Sequence, residues 1–298
     1  MVHVRSIAEF EYRAPESLAE ALELLGPEAL AGKVLAGGTD LVLQMKQGLV
    51  RPSLVVDVKQ IPELNRLEWS EPGGLVIGAA VPFVQVLAFA GLPKAFSILL
   101  EACSSIGSMQ IRNRGTIGGN LCNAAPSADS APPLLCLGAE VVLASSQAAR
   151  AIPLEQFFLA PGKTALAADE LLVEIKAPTP PARSAGRYLR HSTREEMDIA
   201  VAGVASFITE GPQAGRLKTV RIALGAVAPT PVRAYRAEAA LVGQAITRKT
   251  IEEAAGIAAG EANPISDMRG SGEYRREMVR VLVRRTLTSA CEELGLEI

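Results

Sequence analysis

Two short glycine runs constrain this 298-residue chain more than any other feature. The first is Ala36-Gly37-Gly38-Thr39-Asp40. The second is Arg112-Asn113-Arg114-Gly115-Thr116-Ile117-Gly118-Gly119-Asn120. Glycine lets the backbone adopt positive φ and approach a neighbour closely, because no Cβ intervenes. Successive backbone N–H groups can then converge on an anion, and a threonine or asparagine side chain adds further hydrogen bonds. Each run also suits a plain tight turn. Two of them, each beside a threonine and the first passing from a strand into a helix, favour a diphosphate as guest. Neither run is G-x-G-x-x-G or G-x-x-x-x-G-K-[ST], so the Rossmann fingerprint and the P-loop are both absent. What remains is a diphosphate ligand held by another fold.

Composition narrows the ligand class. With 30 basic against 32 acidic residues the net charge is −2, which leaves no cationic excess to neutralise a nucleic-acid backbone. Aromatics at 4% are too sparse for a base-stacking platform. Two histidines, His3 and His191, cannot build a histidine-rich metal centre. Cys103, Cys122, Cys136 and Cys291 contain no C-x-x-C pair, which predicts reduced, mostly buried thiols in a cytoplasmic protein. The opening MVHVRSIAEFEY has no apolar run leading to a small-residue cleavage site, so no signal peptide is expected. Residues 72–93 carry no charge, but Pro82, Gln85, Gly91 and Pro93 interrupt them. They predict a strand, Leu75 to Val81, then a helix with Pro82 in its first turn, and not a membrane span of about 20 apolar residues.

The chain's length suggests about two domains. Its start reads as βαβ: helix Leu18 to Leu25, strand Val34 to Ala36, helix Leu41 to Gly48, strand Leu54 to Val58. Residues 60–178 alternate, with strands at Leu75 to Val81, Val141 to Leu143 and Leu171 to Ile175 and a helix at Phe96 to Ile106. The cluster Ala177-Pro178-Thr179-Pro180-Pro181 reads as a linker. Beyond it come three strands, Tyr188 to Arg190, Ile199 to Ile208 and Val220 to Val227, closed by a turn holding Pro229 and Pro231. Helices follow at about 233–242, 248–262 and 272–294. The last places Val279, Leu282, Val283, Leu287 and Ala290 on one face.

Several single residues have two readings. Asp129 is the one acid in the stretch Asn123 to Pro133, and suits either a helix N-cap or an acceptor for ligand hydroxyls. Arg112 and Arg114 suit phosphate or partner contacts, or a solvated loop. His191, without a second histidine nearby, is expected at the surface or in a hydrogen bond.

Ala36-Gly37-Gly38-Thr39-Asp40-Leu41 and the run from Arg112 to Asn120 closely resemble the two flavin loops of the FAD-binding medium subunits of molybdenum hydroxylases. The likeness continues through Pro126, Asp129, Gly162-Lys163-Thr164, Asp169 to Leu172, Tyr188 to Ser192, Arg194, Met197 to Ala200 and the Ser271 to Arg285 region. It thus covers nearly the whole chain, in the family's order. The resemblance implies an α+β, PCMH-type FAD-binding fold over residues 1–178, with subdomains of about 1–58 and 59–178. A C-terminal domain over 183–298 would pair a three-stranded antiparallel sheet with a helix bundle.

For the site, the resemblance implies non-covalent FAD. It would be wrapped by Val34, Leu35, Ala36, Gly37, Gly38, Thr39, Asp40 and Leu41 and by Thr116, Ile117, Gly118, Gly119 and Asn120. Asp129 would lie near the ribityl or phosphate region, with further contacts from Leu172 and Arg190. Ile199 matches a position near the isoalloxazine ring in some relatives. The implied partners are a large molybdopterin subunit and a small subunit with [2Fe-2S] clusters, in a dimer of heterotrimers. The chain departs from many relatives at Arg190, where they carry lysine, and at Ile199, where some place an aromatic. The absence of a cysteine cluster sets it apart from the benzoyl-CoA-type reductases. Two alternatives stay open at this point: a stand-alone flavin reductase of the same fold, and a flavin-free scaffold.

Overall fold

The computed structural model describes residues 7–26, 32–213 and 215–298, so His3 lies outside the described residues. The N-terminal unit runs β1 (Glu11–Arg13), α1 (Leu18–Leu24), β2 (Gly32–Leu35), α2 (Leu41–Gln47) and β3 (Leu54–Asp57). Its three strands form a parallel sheet in the order β1-β3-β2, because each strand is reached by a crossover rather than a hairpin. The Ser17 hydroxyl caps α1 by accepting from the Glu20 N–H. Ala21 and Leu22 of that helix face the core. Strand β1 was not expected: its three residues are all exposed and show no apolar pattern.

The second unit contains β4 (Leu67–Ser70), β5 (Gly74–Gly78), α3 (Phe83–Ala88), α4 (Ser97–Ser105), α5 (Met109–Arg112), α6 (Ile117–Asn123) and α7 (Ala131–Leu137). It continues with β6 (Glu140–Ala144), β7 (Ala149–Pro153), β8 (Phe158–Ala160), β9 (Lys163–Thr164) and β10 (Leu171–Ala177). Five of these strands make an antiparallel sheet, β4-β5-β10-β6-β7, while β8 and β9 pair separately. The predicted strand Leu75 to Val81 ends early, at Gly78. There the chain turns, with the Val81 N–H on the Gly78 carbonyl and the Ala80 N–H on the Leu64 carbonyl. Pro82 is the N-cap of α3, one position before the expected first turn.

The C-terminal unit holds β11 (Ser184–His191), β12 (Ala202–Glu210), β13 (Leu217–Gly225), β14 (Val232–Arg233), α8 (Tyr235–Leu241), α9 (Arg248–Glu261) and α10 (Gly272–Leu294). The expected three-stranded sheet has a fourth strand, the two-residue β14 at the edge of β13. Two residues after a proline turn carry no periodicity to read. The second strand begins at Ala202, not Ile199, because residues 192–199 form a loop pinned by Asp198.

This sheet is covered on both faces. Ala205 and Phe207 join the core of the second unit, while Val204 and Ile208 join Val279, Val283 and Leu287 of α10. A doubly covered strand loses the alternation of a half-exposed one, and β12 is buried from Ala202 through Thr209. Among the described residues no helix is long and apolar enough to cross a membrane. Cys103, Cys136 and Cys291 are buried and all four cysteines are free, as the spacing predicted.

Candidate functional site

A cleft of about 800 Å³ is lined by residues of all three units, within the upper part of the roughly 300–1,000 Å³ range of small-molecule sites. The two glycine runs meet in it. A Cβ on Gly37 would lie 2.7 Å from the Gly115 Cα, so glycine is required for the runs to touch. Gly38 takes φ +72°, the left-handed region that glycine occupies without strain. The turn delivers the chain into α2 with Asp40 at the N-cap position, its side chain making no capping bond. Burial raises the Asp40 carboxyl above the usual carboxylate range.

The second run is not a loop throughout. Thr116 caps α6 by accepting from the Gly119 N–H at 2.9 Å, and Ile117–Asn123 is helical. Paired glycines disfavour helix, so propensity hid this element. Tertiary packing selects it: a Cβ on Gly118 would stand 2.5 Å from the Ala79 carbonyl oxygen and 2.6 Å from its Cα. The cleft-lining N–H groups of Gly37, Gly38, Thr39 and Gly118 have no acceptor among the described residues. Such donors at short helix starts attract anions.

Two apolar patches border these donors. One gathers Ile106, Ile111, Met197 and Ile199, joined by the Met197 N–H bond to the Gly107 carbonyl at 3.4 Å. The other gathers Leu64, Leu171 and Leu172 around Ala79, whose N–H bonds the Val173 carbonyl at 2.9 Å. A bulge between Leu172 and Glu174 breaks the alternation of β10, and both Leu171 and Leu172 border the cleft.

The expected site residues therefore converge, with three exceptions. Val34, Ala36, Thr39, Asp40 and Leu41 line the cleft with the first glycine pair. Thr116, Gly118, Gly119, Asn120, Asp129 and Leu172 line it from the second unit. Leu35, Ile117 and Arg190 do not line it. Leu35 belongs to β2, with its carbonyl bonded to the Val58 N–H; Ile117 is fully buried in the core.

Arg190 is held one residue away from the cleft. Its Nη1 donates to Asp129 Oδ2 at 3.1 Å and to the Asp198 carbonyl at 3.1 Å. Asp129 is neither an N-cap nor a free acceptor: Ser130 precedes α7, and the other Asp129 oxygen accepts from the Tyr188 hydroxyl. Burial raises the Asp129 carboxyl, while Tyr188 and Arg190 pull the other way. Burial and the neighbouring carboxylate together push the Tyr188 phenol well up, so it stays protonated and donates.

Sequence reasoning did not single out Lys33, Gln44 or Asn123, all in the cleft wall. Gln44 Nε2 donates to Asn123 Oδ1 at 3.2 Å and ties α2 to α6, a pairing with no local signal. Arg112 donates to the Ile106 carbonyl, a structural role that neither of its two readings had named. Cys122 borders the cleft, its thiol pushed up to about 12 by burial. His191 lies within 2.9 Å of the Tyr274 hydroxyl, the hydrogen-bonding role expected of it.

Residues 8–180 match the family described as the FAD binding domain in molybdopterin dehydrogenase, and residues 187–290 match the CO dehydrogenase flavoprotein C-terminal domain. The chain is 33% identical over 285 residues to the xanthine dehydrogenase FAD-binding subunit of Escherichia coli O157:H7, covering 95% of this chain and 97% of that one. It is 34% identical over 281 residues to the carbon monoxide dehydrogenase medium chain of Hydrogenophaga pseudoflava, covering 94% and 96%. Among solved structures, a chain of carbon monoxide dehydrogenase from H. pseudoflava, in a form lacking the Mo-pyranopterin moiety, superimposes with a TM-score of 0.92 at 34% identity, over 97% of this chain and 99% of that one. A chain of quinoline 2-oxidoreductase from Pseudomonas putida 86 does so with a TM-score of 0.90 at 30% identity, over the same shares.

Proposed function

The chain belongs to the FAD-binding medium subunits of the molybdopterin dehydrogenases, which are oxidoreductase components, and on that premise we propose that it is the electron-transfer subunit of a heteromeric molybdenum hydroxylase. It takes electrons from the [2Fe-2S] clusters of a small partner subunit and passes them to an external acceptor. The large partner holds molybdopterin and oxidises the substrate, in a cytoplasmic dimer of heterotrimers. Residues 1–178 clasp the FAD and residues 183–298 cover it.

The observation that carries this reading is the unpaired set of backbone donors at Gly37, Gly38, Thr39 and Gly118, bordered by two apolar patches. FAD has the matching chemistry, a diphosphate joining two ring systems. Residues Val34 to Leu41 and Thr116 to Asn120 would hold it non-covalently, with Leu172 against an apolar part and the Asp129–Arg190 pair beside it. When bound, FAD supplies reversible one- and two-electron redox chemistry, and the protein supplies binding and orientation. Asn120 Oδ1 accepts from the Ser130 hydroxyl at 2.6 Å, which fixes its amide in the wall. Asp40, with no bond to its own helix, is available to accept from ligand hydroxyls.

Purified full chain should show the visible flavin spectrum, with FAD near one per chain. A colourless preparation that takes up no added FAD overturns the reading. Co-purification from the native host, with molybdenum and iron measured alongside the partner chains, tests the complex. A chain that purifies alone and turns over by itself would favour a stand-alone reductase.

A further inference from the structure

Residues 192–199 join β11 to β12 and put Met197, Asp198 and Ile199 into the cleft wall. Met197 and Ile199 are 55% and 48% exposed, so they form its rim. The arrangement opposes local preference. Two apolar side chains face water, and Met197 adopts φ +54°, a conformation strained for a residue with a Cβ. Something must hold the loop there.

The bonds fall into two groups. Asp198 accepts from the Thr193 hydroxyl, the Arg194 N–H and the Ile199 N–H, and Arg194 donates to the Met197 carbonyl. These bonds lie within the loop and give it shape, but they do not fix it to the body of the protein. The body reaches it through the Met197 N–H to the Gly107 carbonyl, at a long 3.4 Å, and through Arg190. Arg190 stands on β11 with its side chain 7% exposed. It donates to the Asp198 carbonyl at 3.1 Å and to the Glu195 carbonyl at 3.5 Å. The same guanidinium pairs with Asp129 in the cleft wall.

We propose that Arg190 is a positioning residue, whose guanidinium ties Asp129 of the cleft wall to the loop 192–199 and so fixes Met197 and Ile199 at the rim. It sets how far a bound flavin is shielded from water, and that consequence rests on the FAD reading above; the tie itself does not. The task needs a planar fork with several directed donors, because Nη1 serves both the Asp129 carboxylate and the Asp198 carbonyl while Nη2 serves the Glu195 carbonyl. A lysine ammonium is a single point and can satisfy the carboxylate while releasing the loop.

The test compares the full chain with Arg190→Lys by amide hydrogen exchange of the loop, with and without added FAD, and by iodide quenching of flavin fluorescence. Arg190→Lys keeps Asp129 neutralised and should keep FAD stoichiometry. Exchange of the 193–199 amides should rise about tenfold or more in both states, as expected for a lost charge-assisted hydrogen bond. Iodide quenching should rise with it. Adding Met197→Gly, which accepts the positive φ without strain, should restore part of the protection. A purely structural role for Arg190 would show no such rescue.

Unchanged loop exchange overturns the proposal, and unchanged exchange with FAD lost would make Arg190 a direct ligand contact instead. If wild-type chain binds no FAD, the function above fails while loop exchange in the flavin-free chain still decides the tie. If Arg190→Lys does not fold, the double variant Arg190→Met/Asp129→Asn removes both buried charges together. The same readout then applies: faster loop exchange supports the tie, and wild-type exchange refutes it.

Discussion

Adjacent glycines in α6 should fail in different ways when each becomes alanine. At Gly118 the new methyl would stand 2.5 Å from the Ala79 carbonyl oxygen, where ordinary contact begins near 3.4 Å. The helix or the turn after β5 must therefore move by about 0.9 Å. Overpacking of this kind costs about 1–3 kcal/mol. Less the roughly 1 kcal/mol that alanine gains over glycine in a helix, and at roughly 2–4 °C per kcal/mol for a protein somewhat smaller than this one, Gly118→Ala should lower Tm by up to about 8 °C.

At Gly119 the methyl would meet only the Thr116 hydroxyl, at 3.0 Å. Alanine gains about 1 kcal/mol of helix propensity over glycine. Crowding the cap costs about the same, so Gly119→Ala should leave the flavin-free Tm within a few degrees of wild type. The methyl does enter the cleft beside the free donors. Displacing a diphosphate from one such donor loses about 1.5–3 kcal/mol, or roughly a 10- to 150-fold weaker Kd for FAD. Differential scanning fluorimetry of flavin-free chain and fluorescence titration with FAD separate the two effects. Wild-type FAD affinity in Gly119→Ala would refute the assignment of the α6 start to the ligand. A raised Tm in Gly118→Ala would refute the packing of α6 on Ala79.

Three further outcomes follow from the same geometry. Arg275 is buried at the start of α10 and donates to the Val201 and Ala226 carbonyls and to Asp267; Arg275→Met should cost about 3 kcal/mol, read as a lower urea midpoint. The Asp198 carboxyl is lowered to about 2, chiefly by the Thr193 hydroxyl. It therefore supports its loop fully above its unfolded pKa of about 4 and loses that support as pH falls from there to about 2; proteolysis of the loop should accelerate across that window in wild type and stay flat in Asp198→Asn. Burial pushes the thiols of Cys103, Cys122 and Cys291 up to about 12. Native protein at pH 8 should label slowly with iodoacetamide, bound FAD should slow Cys122 further, and unfolded protein should label at four thiols.

Much of the molecule was readable before any fold was drawn. Helices α1, α2, α4 and α8–α10 and most long strands carry periodicity or caps within a dozen residues, and such signals are local. Glycine spacing marked both runs of the site for the same reason: a backbone that must approach closely or take positive φ leaves a residue type behind. Short elements escaped. β1 and β14 have too few residues to show a period, and α6 carries glycines that argue against a helix.

The sequence by itself determined the alternation of strands and helices, the two glycine runs, the mostly buried thiols and the shortage of metal-binding side chains, because these rest on residue type and near-neighbour spacing. Only the tertiary structure decided that Gly37 lies on Gly115, that Gln44 reaches Asn123, and that Arg190 stands one residue behind the cleft on Asp129. Those contacts join residues 61 to 79 positions apart, as the Arg190–Asp129 and Gln44–Asn123 bonds do. Their partners are chosen by the packing of three sheets around one cleft, and no window along the chain contains both sides of such a choice.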